Sequence, residues 1–258
     1  MTDTPLQGVG VLVTRPRAQA TELVQAIEAN GGEVIYFPAI EIVPRDQIEI
    51  AKDAAALAAP DIAIFVSRNA VDHGLLHAAG AAKAAIGPAT AAAIRSAGQT
   101  VEIDPDGGYD SEGLLAAPAL HEVAGKQVRI IRGSKGRELL ADTLRERGAG
   151  VEYLSVYERK LPTVSAERLA EVEAAWRDGK IKAITVMSIA TLKNLSTLLP
   201  EWCATQLENM PLVTPAARVI KEALNRYPES TPILASGPQA ADMVDAIIAM
   251  QKQRVPAP

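Results

Sequence analysis

The stretch Val9–Phe37, VGVLVTRPRAQATELVQAIEANGGEVIYF, decides the fold of this chain. Its first apolar run, Val9–Val13, is a strand candidate, and Val34–Phe37 is a second one. Between them, a helix is predicted over Arg17–Ala29, because apolar residues recur there at i, i+3, i+4 and i+7. Those residues are Ala20, Leu23, Val24 and Ile27. A glycine pair that begins at Gly31 ends the helix, since glycine tolerates a left-handed cap.

The same order recurs 117 residues later, in Lys126–Leu154, KQVRIIRGSKGRELLADTLRERGAGVEYL. Here we expect a strand over Gln127–Ile131, a helix over Lys135–Arg147 and a second strand over Val151–Leu154. The register also holds, because identical residues lie at the common offset: Arg15 and Arg132, Gly31 and Gly148, Tyr36 and Tyr153, Glu41 and Glu158. A shared offset over this length predicts a duplication of the chain.

The repeat continues more loosely between these two units and after them. Asp61–Ser67 matches Lys182–Ser188 at an offset of 121, and Ala85–Thr90 matches Leu212–Ala217 at 127. Strands that alternate with helices predict an α/β protein whose parallel sheets are covered by helices on both faces.

Composition narrows the class of protein further. A length of 258 residues suggests about two domains, and 48% hydrophobic residues suffice for their cores. The net charge of −5 argues against a nucleic-acid binder. A single cysteine, Cys203, cannot form an internal disulfide, which favours a reducing compartment. The sequence shows no secretory signal and no membrane-spanning apolar stretch, so a cytoplasmic protein without membrane contact is expected.

Candidate ligand-binding residues follow the predicted strands, each just before a helix. Ligands of open parallel sheets bind outside the carboxyl ends of the strands, and helix N-termini bind anions. The candidates are hydroxyls, cations, a glycine and a proline: Arg15, Ser67, Arg68, Gly87, Thr90, Ser111, Arg132, Ser188, Thr214 and Pro215. Serine and threonine also cap helices in any protein, so each hydroxyl has a purely structural alternative. Their recurrence in both copies favours a polyanionic small molecule bound between two lobes.

Other templates for chemistry do not match. No GxGxxG follows a strand, and Gly133-Ser134-Lys135 lacks the spacing of a phosphate-binding loop. His73 and His77 have no evident third ligand, so no metal is expected. The residues alone therefore predict a binder of polyanions and leave the reaction open.

A series of segments, taken in chain order, resembles the uroporphyrinogen-III synthase family. They are Val11–Pro16, Gly31-Gly32, Pro38–Pro44, Ile64–Val71, Ile86–Ala91, Asp110–Leu115 and Val156-Tyr157. The resemblance implies a hydro-lyase that closes hydroxymethylbilane, a linear tetrapyrrole with acetate and propionate on every ring, to uroporphyrinogen III. The last ring is inverted, water is lost and no cofactor takes part. A non-catalytic, two-lobed sensor that binds a similar tetrapyrrole is the alternative.

The resemblance also implies roles for single residues. Tyr157 matches the family's tyrosine and is the candidate proton donor for the departing hydroxyl, with a packing role as the alternative. Thr90, Ser67 and Ser188 match substrate-binding positions. The second copy departs from the family pattern around Thr214, which puts its contacts in doubt.

The resemblance finally implies how the chain divides. Two proline-edged connectors, 38–43 and 154–162, would join a lobe of residues 1–37 plus 163–258 to a second lobe of residues 44–153. Each lobe would be a flavodoxin- or Rossmann-like parallel sheet with flanking helices, and the connectors would form a two-stranded link. A monomer is expected, which would receive its substrate from solution or from the enzyme that makes hydroxymethylbilane.

Overall fold

The structure of the chain is a computed structural model that describes residues 4–105 and 108–254. The outer ends of the predicted first lobe, at residues 1 and 258, lie outside the described residues. The chain forms two compact units, which we call unit 1, Met1–Glu41 with Lys160–Pro258, and unit 2, Ile42–Arg159. The predicted cleft between lobes stays a prediction.

Strands and helices alternate along both units. The described strands are β1 Gly10–Val13, β2 Glu33–Tyr36, β3 Glu41–Pro44, β4 Ile62–Phe65, β5 Ala82–Ala85, β6 Gln127–Gly133, β7 Gly150–Lys160, β8 Ile181–Thr185, β9 Leu212–Thr214 and β10 Ile233–Leu234. The described helices are α1 Arg17–Ala29, α2 Gln47–Ala56, α3 Arg68–Gly74, α4 Pro88–Ser96, α5 Ser111–Leu115, α6 Leu139–Glu146, α7 Ala166–Arg177, α8 Ile189–Leu198, α9 Glu201–Gln206, α10 Ala217–Arg226 and α11 Ala240–Arg254. Short 3₁₀ turns lie at Leu75–Ala78, Pro118–Leu120 and Leu207–Asn209.

Each unit contains one five-stranded sheet. The order is β10-β9-β8-β1-β2 in unit 1 and β3-β7-β6-β4-β5 in unit 2. The pairs from β10 to β2 and from β7 to β5 are parallel. The predicted α/β class, with two similar parallel sheets and flanking helices, is confirmed.

The two sheets share one pairing scheme. The strand pair at the start of each copy lies beside the later strands of the other copy, so β1 neighbours β8 and β6 neighbours β4. Equivalent residues then meet equivalent partners: Val11 pairs with Val34 and Ala183, and Val128 pairs with Val151 and Ile62. Offsets of 117 and 121 relate these two sets, as the sequence repeat does.

The match of Ala85–Thr90 to Leu212–Ala217 at 127 residues is wrong. Lys83 occupies the position beside β4 that Leu212 occupies beside β8. The two residues are therefore equivalent, and their offset is 129. The helix caps agree, because Gly87 precedes α4 and Ala216 precedes α10. The similar Thr-Pro and Gly-Pro pairs misled the comparison, since Pro215 lies before its helix rather than in it.

The predicted start of helix α6 at Lys135 is also wrong. Strand β6 continues to Gly133, and the helix begins only at Leu139. Glu138 in the loop between them is held by the guanidinium of Arg132, so the chain leaves the sheet before it coils. Strand β7 likewise extends to Lys160, so Tyr157 belongs to the sheet of unit 2.

Both faces of each sheet are covered by helices. In unit 1, Leu12 packs on one face with α7, α8 and α10, and Val11 and Val13 pack on the other face with α1 and α11. This alternation follows from the period of two along a strand. Among residues 4–105 and 108–254, every helix is too short or too polar to traverse a lipid bilayer.

Candidate functional site

The predicted residues lie at the carboxyl ends of the parallel strands in both units. Arg15 follows β1, Ser67 follows β4, Gly87 follows β5 and Ser188 follows β8, while Arg132 lies near the end of β6. Because parallel strands end at one edge of a sheet, each unit presents its own strand-end set. The two sets differ in their chemistry.

Ser67 is the N-cap of α3 in unit 2. Its backbone is extended, and its Oγ accepts a hydrogen bond from the Ala70 amide at 3.2 Å. The same Oγ lies 3.1 Å from the phenol oxygen of Tyr157. The predicted capping role is therefore present, and a second interaction is added to it.

Tyr157 is fully buried, at 0% exposure, in the core between β6, β7 and α3. Its phenol oxygen accepts a hydrogen bond from Nη2 of Arg159 at 3.1 Å. Gly133 makes room for the ring, because a Cβ at that position would lie 2.7 Å from Tyr157 Cε2. The phenol of the candidate donor therefore faces Ser67 and Arg159 rather than solvent.

Gly87 caps α4 in an extended conformation and lies against Tyr109, whose side chain is exposed. Thr90 is buried in the first turn of that helix, and its amide is bonded to the Gly87 carbonyl at 3.0 Å. Ser111 is buried at the start of α5, where Asp110 supplies the cap. Gly87 and Thr90 thus lie at the N-terminus of α4, and Ser111 lies at the N-terminus of α5.

Arg132 is 7% exposed and has a carboxylate partner. Its Nη1 lies 3.1 Å from Glu138 Oε1, and its guanidinium stacks on the Tyr153 ring at 4.5 Å. Burial and the Glu138 hydrogen bond raise the pKa of Tyr153 to about 12. The hydrogen bonds from Tyr153 and Arg132 lower the pKa of Glu138. Arg132 is thus a neutralised, clamped cation.

The neighbouring cations of unit 2 are paired as well. Arg137 holds Glu112 through two hydrogen bonds of 2.5 and 2.9 Å, and Glu112 raises its pKa. Arg68 lies 3.7 Å from Asp72, one turn along α3. The sequence suggests a strongly basic edge. In the structure, neighbouring acids offset the positive charge of these arginines.

Arg15 in unit 1 has a different environment. Its Nη2 donates to the Pro238 carbonyl at 2.6 Å, and its own carbonyl accepts from the Tyr36 phenol. Its Nε is buried without a hydrogen-bond partner among the residues that the structure describes. Burial lowers the pKa of Arg15, an effect that Glu22 only partly offsets. The N-terminus of α1, with no acid in its first turn, begins two residues later.

The other predicted residues of unit 1 are capping and packing groups. Ser188 caps α8, accepting from the Thr191 amide at 3.1 Å and contacting the Thr191 hydroxyl. Thr214 is fully buried, and its Oγ1 accepts from the Ala216 amide at 3.3 Å. Pro215 lies in the turn between them and does not begin a helix.

Three residues at the strand-end edge of unit 2 are absent from the sequence-based candidates: Gly133, Glu138 and Arg159. Arg159 lies two residues after Tyr157 in one strand, so the period of two gives a signal for their proximity. Gly133 and Glu138 act through contacts that depend on where β6 ends. No spacing in the sequence indicates that point.

A cavity of about 370 Å³ lies at the opposite edge of the same sheet. Pro60, which precedes β4, and Arg129 of β6 are among its lining residues. Arg129 is buried and donates to the carbonyls of Ala54, Ala58 and His77. These bonds satisfy carbonyls at the end of α2, just after it and in the 3₁₀ turn at Leu75–Ala78, so the role of Arg129 is structural.

The fold defines a class: a duplicated α/β protein of two flavodoxin-like units, an architecture in which ligands bind at strand ends. A family model described as uroporphyrinogen-III synthase HemD matches residues 21–245. The chain belongs to the uroporphyrinogen-III synthase family, as the sequence resemblance predicts.

Curated relatives and solved structures agree with this assignment. The uroporphyrinogen-III synthase of Escherichia coli K12 is 33% identical over 203 residues, which cover 75% of this chain and 81% of the relative. That of Salmonella typhimurium is 32% identical with the same coverage. Structures from Thermus thermophilus (a mutant form) and Helicobacter pylori share the fold, with TM-scores of 0.61 and 0.62. They are 20% and 14% identical, covering 95% and 94% of this chain and 99% of each structure.

Proposed function

We propose that this chain is the synthase that closes hydroxymethylbilane to uroporphyrinogen III, with loss of water and inversion of the last pyrrole ring. The observation that carries the proposal is the family match over residues 21–245. Its place is in tetrapyrrole biosynthesis. A relative 33% identical over three quarters of the chain supports a catalyst rather than a sensor.

We propose that the substrate's carboxylates are bound by the unneutralised groups of unit 1. The Nε of Arg15 is a buried donor at this edge to which no described residue is bonded, and a carboxylate oxygen is the natural acceptor for it. The backbone amides at the start of α1 add a favourable dipole. Ser188, Thr214 and Pro215 would contact the substrate at the ends of the next two strands.

We propose that unit 2 supplies the chemistry of ring closure. Loss of the substrate's hydroxyl needs a proton, and the Tyr157–Ser67 pair is the hydroxyl pair that supplies it. The amides at the starts of α3, α4 and α5, with Ser111, Thr90 and Gly87, would hold the reacting end of the chain in a closing geometry. Arg68 and Arg132, each beside an acid, would contact the substrate at the same edge.

The isomer composition of the product tests the function directly. Purified protein is given hydroxymethylbilane, and the products are oxidised and separated by chromatography. We expect the type III isomer to predominate, whereas spontaneous closure gives type I. Binding of the substrate with type I as the only product would instead support the sensor alternative.

We also propose that the protein acts as a cytoplasmic monomer. Its single cysteine is buried, and burial raises the pKa of that thiol to about 11, which suits a reducing compartment. Light scattering during size-exclusion chromatography should give a mass near 27.2 kDa. The rate of type III formation can be measured in an assay coupled to the enzyme that makes the substrate. Product formation without a lag, and without slowing on dilution, would support direct transfer between the two enzymes.

A further inference from the structure

The hydrogen bonds around Ser67 and Tyr157 have a direction that can be worked out from their donors. The Ala70 amide donates to Ser67 Oγ, and Arg159 donates to the phenol oxygen of Tyr157. Each oxygen therefore already accepts one bond from a group that can only donate. The remaining contact is the 3.1 Å separation between the two hydroxyl oxygens themselves.

Burial decides which hydroxyl donates in that contact. Tyr157 is 0% exposed, so a phenol proton turned away from Ser67 would be buried without an acceptor, which is unfavourable. Ser67 is only partly buried, so its own proton can point out of the protein. The favoured arrangement is Arg159 to Tyr157 to Ser67, with the serine proton directed outward.

We propose that Ser67 is the catalytic residue that gives its proton to the departing hydroxyl, and that Tyr157 is a positioning residue that refills it. The inference rests on the proposed function. In the step, the C–O bond of the hydroxymethyl group breaks as the Ser67 proton moves to its oxygen, which leaves as water. The Tyr157 proton moves to Ser67 Oγ at the same time, and Arg159 stabilises the resulting phenolate.

The proton returns when the ring closes. The pyrrole carbon that forms the last bond loses its hydrogen as a proton, and this proton passes back through Ser67 to Tyr157. One proton is taken up and one released in each cycle, so the balance is that of the overall dehydration. No further reactant is needed.

The duplicated half of the chain supports a role beyond helix capping. Ser188 is the repeat counterpart of Ser67 and caps α8 in the same way. The counterparts of Tyr157 and Arg159 at the 117-residue offset are Ile40 and Ile42, which have no hydroxyl or guanidinium. A cap alone therefore needs only the serine, and the tyrosine and arginine are added in one copy.

Four variants separate proton delivery from structure. Ser67→Ala removes the proton and the cap, whereas Ser67→Asn keeps a good N-cap without an acidic hydroxyl, and Ser67→Thr keeps both. Tyr157→Phe removes the relay. Ser165→Ala is the matched control, since Ser165 caps α7 with the same bond to the amide three residues on, at 3.2 Å.

We expect kcat for type III formation to fall roughly 100-fold in Ser67→Ala and in Ser67→Asn, with KM little changed. Tyr157→Phe should fall roughly tenfold, because Ser67 still donates and takes its proton back from water in a separate step. Ser67→Thr should stay within about threefold, and Ser165→Ala within about twofold. A larger loss in Tyr157→Phe than in Ser67→Ala would overturn the proposal, as would a normal kcat in Ser67→Asn.

A proton inventory measures how many protons are transferred in the rate-limiting step. A residue with only a structural role would not change that number. Single-turnover rates in mixtures of H₂O and D₂O should follow a curve for the unaltered protein, because two protons move, and a straight line for Tyr157→Phe. A straight line for the unaltered protein would overturn the relay. Failure of the unaltered protein to make type III isomer would instead refute the proposed function itself.

Discussion

The glycine beside the Tyr157 ring offers a way to displace the phenol without changing it. In Gly133→Ala, the new methyl carbon would lie 2.7 Å from Cε2, 2.9 Å from Cζ and 3.2 Å from Cδ2 of Tyr157. Carbon atoms in normal contact are about 3.5–4.0 Å apart, so the ring must move by roughly 1 Å. The ring is fully buried in a close-packed core, and its hydroxyl moves with it.

The expected cost follows from these distances. Overpacking of a core costs about 1–3 kcal/mol, and loss of the hydrogen bond to Ser67 adds about 1 kcal/mol. A shift of roughly 1 Å takes the 3.1 Å oxygen separation beyond the range of a hydrogen bond. We therefore expect Gly133→Ala to be destabilised by about 2–4 kcal/mol and to lose kcat about as much as Tyr157→Phe does.

Thermal unfolding and the isomer assay measure the two effects side by side. Gly150→Ala is the control, because the atoms nearest to its methyl would be those at the flexible end of Gln127, so both stability and kcat should stay near those of the unaltered protein. Adding Tyr157→Phe to Gly133→Ala should cost no further activity, since the hydroxyl is already out of place. Full activity in a folded Gly133→Ala protein would refute the reasoning, because the ring could then move without consequence.

Two further predictions concern the cations. In Arg15→Met, KM should rise roughly 10- to 100-fold with kcat little changed, since a charged hydrogen bond to a carboxylate is worth about 1.5–3 kcal/mol; steady-state kinetics would contradict this if only kcat fell. In Glu138→Gln, unfolding should be easier by about 0.5 kcal/mol, because the Glu138 side chain of this pair is half exposed. The pKa of Glu138 is lowered, so its contribution is present above pH 4.5 and is lost as pH falls through the lowered value. The pKa of Tyr153 is raised to about 12, so its contribution is present below pH 10 and is lost towards pH 12. A difference in melting temperature that does not shrink as pH falls through the lowered pKa of Glu138, or as pH rises from 10 towards 12, would refute the assignment.

The sequence predicts the fold because its signals are local and repeated. Helix α1 has the predicted bounds, since its apolar spacing and terminal glycines act within the segment itself. The helix after β6 begins four residues later than predicted, and Glu138, the residue before it, pairs with Arg132 of the strand. Contacts of that kind depend on the path of the chain and not on periodicity.

The sequence predicts where the candidate residues lie, but it does not predict which groups they contact. The strand-end rule places Ser67 and Arg15 correctly, because parallel strands bring their carboxyl ends to one edge. The rule cannot show that Arg132 is bonded to a carboxylate whereas the Nε of Arg15 has no hydrogen-bond partner among the described residues. It also cannot show that the Tyr157 phenol is buried, since that depends on the space left by Gly133.

The uneven pairing of the two duplicated arginines argues for a division of chemistry between the copies. Arg15 and Arg132 are repeat counterparts, yet Glu138 neutralises only the second. On the proposed function, a neutralised cation would attract a carboxylate weakly and so would keep the edge near Ser67 from being filled by the substrate's own acids. Arg15, whose Nε has no hydrogen-bond partner among the described residues, would do the reverse and draw them in. The acids of unit 2 would then leave one edge suited to carboxylates and the other to proton transfer.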